Sequence, residues 1–282
     1  MEKISKLYKF RSVDTYSLSA LANSQLWFSD IGSFNDPFEG TFVFEESISD
    51  TSYKLWESIV KWKGNEEIDP AERDRKLKKL NLEHFDISNP SFLSKLAKSE
   101  FDIVLKLIQL SKVISLSESN GEVDPITENL MWSHYADGLR GFCLIFNSDE
   151  LKIDIHKTSN RVIRPVKVSY QNTPNVIDIN AFIQSPAMLG VSELNYIDYV
   201  VGTISSKSES WRYENEFRIL SMSESNLHSY SATSLREIVI GDKMPKDQQK
   251  LVTSIAKSVN PDMTIKRAKL KKNSYLIEIV EY

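Results

Sequence analysis

Glu214, Glu216 and Arg218, in the stretch WRYENEFRIL, have the types and spacing to do acid–base or electrostatic chemistry. On a strand, side chains alternate between faces. Glu214, Glu216 and Arg218 would then point one way, and Tyr213, Phe217 and Ile219 the other. Carboxylates at i and i+2 lie about 7 Å apart by the rise per residue of a strand. Their repulsion raises one pKa, and a neighbouring guanidinium opposes that shift. Such a pair can move a proton or stabilise a developing positive charge. The same pattern also fits an exposed strand face with a Glu–Arg ion pair of little energetic consequence.

Three further groups of residues could surround a ligand. In LMWSHYADGLRGF, helical spacing puts Met131 with Tyr135 and Leu130 with His134. Trp132 and Tyr135 are large amphipathic rings near a helix end, suited to a pocket wall or to the core. Ser133 and His134 add polar groups beside them, and both are candidate substrate contacts. In the FNDPFE segment, Asn35, Asp36 and Glu39 are polar groups set between Phe34 and Phe38. They could touch a substrate or build an Asx-type turn before Pro37. Lys9 and Arg11 share one face of the first strand and could hold a phosphate or carboxylate, or lie on a solvated edge.

The elements that must position these groups can be read from periodicity. Lys6–Arg11 alternates as a strand, with Tyr8 and Phe10 on the face opposite Lys9 and Arg11. Ser12 or Asp14 offers an N-cap for a short helix carrying Leu18, Leu21 and Ala22. Leu26–Ser29, Lys112–Ser117, Gly141–Phe146, Arg161–Tyr170, Glu214–Leu220, Leu235–Ile240, Met263–Ala268 and Tyr275–Val280 are expected as strands. Thr127–Ala136 is expected as a helix closed by Gly138, and Asp247–Val259 and Ser192–Ser205 as further helices. From about Ser49 to Leu110 the chain is densely charged and helical in period, with Asp69–Pro70 as a helix start and an apolar stripe from Leu93 to Ile108. Strands spread through the chain without strict βα alternation favour an α+β fold around a mixed or antiparallel sheet. We expect one domain over residues 1–282, with a helical insertion or subdomain at 49–111.

Bulk properties narrow the function classes. The 282 residues are 41% hydrophobic, enough for a sizeable core. The 35 basic and 39 acidic residues give a net charge of −4, so no global field draws the chain to nucleic acid. The single cysteine, Cys143, sits inside the apolar run FCLIF, as a buried strand thiol would. The four histidines are not spaced as zinc ligands, and no metal is expected. No Walker or Rossmann glycine loop and no Gly-x-Ser-x-Gly elbow occurs. No stretch approaches the roughly 20 apolar residues of a membrane span, and no secretory signal is recognisable at the start. A cytoplasmic location is therefore expected.

Taken in order, LYKFR, LWFSD, FNDPFEG, ISLSE, LMWSHYADGLRGFCLIFN, WRYENEFRIL and LREIVIG resemble the bacterial family called domain of unknown function 2971, over most of the chain from Leu7 to about Gly241. More distantly, the layout is similar to ADP-ribosyltransferases: a basic first strand, a central aromatic ahead of a strand, and a late E-x-E element. That likeness implies a sheet split in the manner of those enzymes and a reaction on NAD, as substrate. It implies Glu216 as the acid that stabilises the oxocarbenium-like centre, Glu214 as the group that orients the acceptor, and Tyr135 as the ring stacked on nicotinamide. Lys9 or Arg11 would hold the pyrophosphate or adenosine ribose, with Asn35, Asp36, Ser133, His134 and Arg218 lining the substrate. The likeness also suggests a role in bacterial stress or phage defence. Two other readings stand beside it: a binding or sensor module without catalysis, and a metal-dependent hydrolase built on Asp36, Glu39, Glu214 and Glu216.

Overall fold

The structure is a computed structural model that describes residues 5–34, 42–65, 90–119, 124–159, 163–185, 201–202 and 204–282. In chain order the strands are β1 (Lys6–Arg11), β2 (Gln25–Trp27), β3 (Ser29–Asp30), β4 (Phe42–Glu45), β5 (Lys112–Glu118), β6 (Phe142–Asn147), β7 (Ile163–Lys167), β8 (Ser169–Gln171), β9 (Asn175–Asp178), β10 (Ser206–Ser208), β11 (Glu216–Ser221), β12 (Leu227–Ser229), β13 (Leu235–Gly241), β14 (Thr264–Leu270) and β15 (Ile277–Glu281). The helices are α1 (Thr15–Ala22), α2 (Asp50–Asn65), α3 (Pro90–Leu110), α4 (Asn129–Tyr135), α5 (Ser148–Thr158), α6 (Ile179–Ile183) and α7 (Lys246–Val259). Short 3-10 helices cover Ile31–Ser33, Pro125–Thr127 and Glu209–Glu214.

Contacts divide the chain into two compact units: residues 1–34, 111–172 and 207–282 in the first, and 35–110 with 173–206 in the second. The helical stretch expected at 49–111 falls mostly in the second unit, which joins it to β9 and α6, a partnership no periodicity announced. Within that unit β4 pairs in parallel with β9, and Phe101 of α3 packs edge-on to Phe182 of α6 at 5.4 Å.

The first unit holds a nine-stranded mixed sheet in the order β15-β14-β13-β6-β1-β5-β11-β7, with β3 also paired to β5. Only β13 and β14 run parallel among these pairings; the fold class is α+β. The sheet is buried on both sides of β6, which explains why FCLIF is apolar without alternation. Phe142, Leu144 and Phe146 join Leu7, Ile114, Leu235 and Val252 in one cluster. Cys143 and Ile145 join Tyr8, Phe10, Trp132 and Val239 in the other. Two consecutive odd and even positions of β1 thus lead to opposite cores, as the pleat requires.

β1 sits where the site is built. It pairs with β6 over its whole length, from Lys6–Asn147 to Arg11–Phe142. With β5 it pairs only at Leu7–Glu118 and Tyr8–Ser117. Further along the same edge of β5, Val113 and Lys112 are paired instead to Ser29 and Asp30 of β3. A seam is left beside Ser115, and Lys9 lies on it. Gly141 lets the turn before β6 press against the end of β1: a Cβ there would stand 2.1 Å from the carbonyl oxygen of Arg11.

Two expected strands are interrupted. Leu26–Ser29 becomes β2 and β3, which join different sheets, so Phe28 between them turns into the core instead of extending a ladder. Arg161–Tyr170 becomes β7 and β8, parted at Val168, whose N–H donates to the carbonyl of Glu216. The helix expected at 192–205 and the Asp69–Pro70 start lie largely or wholly outside the described residues.

Candidate functional site

The E-x-E-F-R element is split between two conformations. Glu214 ends the 3-10 helix Glu209–Glu214; Asn215 is left-handed, with φ 41° and ψ 57°; Glu216 starts β11. Glu214 is therefore not on the strand with Glu216 and Arg218, contrary to the alternation of the sequence. Asparagine tolerates the left-handed region better than most residues. Its side-chain amide also donates to the Glu118 carbonyl, while the Glu118 N–H donates back to the Asn215 carbonyl at 3.0 Å. These bonds tie the bend to the end of β5.

Around that bend the charged groups converge. Arg218 donates to Glu216 through both Nε, 2.8 Å from Oε1, and Nη2, 3.1 Å from Oε2. Lys207 of β10 donates to Glu214 Oε2 at 2.7 Å and to Glu216 Oε2 at 3.3 Å. The Tyr135 hydroxyl donates to Glu214 Oε1. The Glu216 N–H donates to the Tyr170 hydroxyl oxygen at 2.7 Å. Glu214, Glu216, Lys207 and Arg218 are all buried, and Arg218 is 0% exposed. Its guanidinium also stacks on the Phe34 ring at 5.2 Å. Lys9 donates to the Ser115 carbonyl at 2.6 Å and feels the charges of Glu216 and Glu214 across the seam.

Burial decides most of the proton affinities here. It pushes the Glu216 carboxyl above the usual range, although Lys207 and the Ser115 hydroxyl oppose it. Burial pulls Lys207 down, but Glu216 and Glu214 outweigh that, and its pKa is raised. Desolvation takes Arg218 down to about 10. Desolvation, and then the charge of Arg11, take Lys9 down to about 7. Tyr135 is driven up by burial and by Glu214, so its proton stays on the hydroxyl. Buried charges are tolerated only when paired, and this cluster pairs each acid with a cation.

An aromatic patch adjoins the cluster. His134 Nδ1 lies 2.8 Å from the Tyr213 hydroxyl, and its ring packs near Tyr135, Trp211 and Tyr213 at 5.9–6.3 Å. Lys207 lies over the Trp211 ring at 5.1 Å. His134 and Ser133 are exposed and Tyr135 is half-buried. The Ser133 hydroxyl is used inside α4, donating to the Asn129 carbonyl at 2.9 Å. Trp132 belongs to the core: it is 1% exposed and its indole N–H donates to the Ile126 carbonyl at 2.7 Å.

Of the residues singled out from sequence, Tyr135, Glu214, Glu216, Arg218 and Lys9 come together, with His134 beside them. Arg11 ends the same strand as Lys9 but does not join the cluster through any hydrogen bond among the described residues. Asn35 and Asp36, with Glu39, lie outside the described residues. Lys207, Tyr170 and Trp211 were not anticipated. Trp211 shares the WRYENEFR motif, but Lys207 and Tyr170 arrive from β10 and β8, and no spacing links them to it. Among the described residues no group of three or more His, Cys, Asp or Glu is arranged to hold a metal, and no helix is long and apolar enough to cross a membrane.

The arrangement can hold a carboxylate in fixed orientation beside an aromatic surface, with a second carboxylate bonded to a phenol. Such preset charge stabilises a cationic centre without reorganisation. No curated protein and no solved structure matches this chain. Residues 131–219, the stretch that contains Tyr135, Lys207, Glu214, Glu216 and Arg218, match the family model described as Protein of unknown function (DUF2971), the family that the chain's motifs resemble.

Proposed function

We propose that this protein consumes NAD, as an ADP-ribosyltransferase or an NAD glycohydrolase, through Glu216. The observation that carries the proposal is that the cation of the first strand and the late acid share one seam: Lys9, bonded to Ser115, feels the charge of Glu216, with Tyr135 bonded to Glu214 alongside. In this mechanism the nicotinamide–ribose bond breaks, the pair of electrons leaves with the ring, and nicotinamide departs neutral. Positive charge then builds on the ribose, and the Glu216 carboxylate stabilises it. The nucleophile, water or an acceptor group, gives its proton to Glu214 as it bonds to the ribose carbon.

Glu216 is sheathed by Arg218 and Lys207, so substrate must displace a contact to reach it. The 3.3 Å contact from Lys207 to Glu216 is the weaker one, and releasing it leaves the 2.7 Å contact to Glu214 in place. The aromatic patch of His134, Tyr135, Trp211 and Tyr213 offers faces for a cationic pyridinium ring. The test is release of nicotinamide from NAD by the wild type and by Glu216→Gln. Wild type should turn NAD over, and the variant should lose at least about a hundredfold, the scale of a missing electrostatic stabiliser. Absence of turnover by folded wild-type protein would discard the enzyme.

One observation favours a second reading, a module that binds a nucleotide without cleaving it. Glu214 and Glu216 are both buried with cationic partners, as structural acids are. That reading expects NAD to bind and to be recovered intact.

A further inference from the structure

The segment Thr264–Leu276, TIKRAKLKKNSYL, carries five cations and no acid, in a chain whose 39 acidic residues outnumber its 35 basic ones. It forms β14 and the turn that leads into β15. Along the strand most of its charge is engaged. Lys266 is bonded to Glu237, Lys269 lies 3.3 Å from Glu278, and the Arg267 guanidinium lies over the Tyr282 ring at 4.9 Å. Lys271 and Lys272, in the turn, are exposed and have no ion-pair partner among the described residues. The loop after β13 meets the base of the hairpin, where the Asp242 N–H donates to the Ala268 carbonyl at 2.9 Å. It brings exposed Lys243 and Lys246 there, but Asp242 and Asp247 come with them. The uncompensated positive charge is therefore at the tip.

That tip projects from the sheet. Gly241, the last residue of β13, stands opposite Ala268. β14 runs two residues past that level, about 7 Å by the strand rise, and the turn lies beyond it. Internal bonds fix the turn: the Lys271 N–H donates to the Leu276 carbonyl at 2.9 Å, the Ser274 N–H to the Lys271 carbonyl at 3.1 Å, and the Leu276 N–H to the Ser274 hydroxyl oxygen at 3.1 Å. Asn273 takes the left-handed conformation there, with φ 56°. On this prong Leu270 is 48% exposed, Leu276 61% and Tyr275 92%. Apolar side chains left this far in water gain little from folding. Grouped beside free lysines on a rigid projection, they mark a surface that meets something else.

We infer that the tip of the β14–β15 hairpin docks this protein on an anionic lipid surface. A convex tip can sink into the soft headgroup region of a bilayer, where Leu270 and Leu276 leave water. Tyr275 takes the interfacial level that amphipathic rings favour. Lys271 and Lys272 then meet the lipid phosphates. A nucleic acid would use the lysines and could stack a base on Tyr275, but it would leave both leucines in water. The net charge of −4 on the whole chain repels the rest of the molecule from the same surface, which orients the approach tip first. The contact is with the face of one leaflet, since among the described residues no helix is long and apolar enough to cross a membrane. It is independent of the NAD reading.

The test is flotation of the full chain with vesicles of phosphatidylglycerol and phosphatidylcholine in equal parts, and with vesicles of phosphatidylcholine alone, at low and high salt. Wild type should float with the first and not with the second, and salt should weaken the binding. Lys271→Gln/Lys272→Gln should cut the partition coefficient about thirtyfold, the worth of two lysines at an anionic surface. Tyr275→Ser/Leu276→Ser should cut it at least about tenfold, for the apolar surface lost. All four positions are exposed, so both variants should melt with wild type, which separates lost docking from lost folding. The inference is overturned if wild type floats with neither vesicle, if it floats equally with both, or if the serine variant binds like wild type. A labelled single-stranded oligonucleotide is titrated in parallel. Oligonucleotide binding that the glutamine variant loses and the serine variant keeps, without flotation, would replace the lipid by a nucleic acid.

Discussion

Glu214 and Glu216 hang on a single ammonium, with Lys207 Nζ 2.7 Å from Oε2 of the first and 3.3 Å from Oε2 of the second. The left-handed turn at Asn215 makes this convergence possible, because it brings the end of a 3-10 helix and the start of a strand to one cation. Lys207 contributes from β10, a three-residue strand paired with β8.

Replacing Lys207 by Met leaves buried Glu214 without a cation and Glu216 with Arg218 alone. Breaking one side of a buried ion pair costs about 3–5 kcal/mol, so urea unfolding at neutral pH should show a loss on that scale. Its pH dependence has a definite sign. Uncompensated buried carboxyls have folded pKa values above their unfolded ones, so protonation favours the fold and the deficit shrinks as pH falls. A loss under about 1 kcal/mol, unchanged on acidification, would mean that water already solvates the acids.

The bend at Asn215 should be sensitive to backbone chemistry. Asn215→Ala loses the bond to the Glu118 carbonyl and puts a less tolerant residue at φ 41°. A cost of about 1–3 kcal/mol is expected from the two effects together. Asn215→Gly also loses the bond but has no Cβ to strain, so it should be the milder of the two. Equal losses in thermal or urea unfolding would remove the left-handed conformation as the reason for asparagine here.

What could be seen beforehand, and what could not, follows from the range of the forces involved. β1 begins and ends at Lys6 and Arg11, where alternation placed it, because a pleat with a core on each face leaves its period in the sequence. Gly138, expected to close α4, is left-handed at φ 59°, and its N–H returns to the Trp132 carbonyl at 3.0 Å. Local caps are written locally. Glu214 misled for the opposite reason: Y-E-N-E-F-R alternates, but Asn215 bends the chain between the two acids. Lys207 was invisible, because its value depends on β10 meeting the start of β11, a long-range fact with no periodic trace. Tyr170 is similar, a residue of β8 whose hydroxyl meets a backbone N–H 46 positions later.

Arg218 should not be replaceable by lysine. Its fork takes both oxygens of Glu216, and its Cζ lies 5.2 Å from the centre of the Phe34 ring, over the ring face. A lysine keeps the charge but supplies neither the fork nor the plane, so Arg218→Lys should cost about 1–3 kcal/mol in urea unfolding. If the proposed NAD chemistry holds, the same variant should lose turnover while still folded at 25 °C, because the Glu216 carboxylate would no longer be held in one orientation. A variant as stable and as active as wild type would show that Glu216 needs only a positive neighbour.

Lys9 should leave its mark on the alkaline side of the stability curve. Desolvation holds its folded pKa at about 7, below the ordinary 10.5 of a lysine. Between those values the unfolded chain binds a proton that the native chain does not, so stability rises with pH across the window. Lys207, whose pKa is raised, contributes in the other direction, but only above about 10.5, and the buried tyrosines Tyr8, Tyr135, Tyr170 and Tyr230 likewise act only above about 10. From pH 7 to 8 the slope therefore belongs mainly to Lys9; nearer pH 9 the Cys143 thiol, pushed up by burial, opposes it. Urea midpoints of the wild type should climb from pH 7 to 8, and those of Lys9→Met should stay flat. A wild-type curve that is level, or a Met variant that climbs equally, would mean that the ammonium on the β1–β5 seam is solvated and carries its proton at neutral pH.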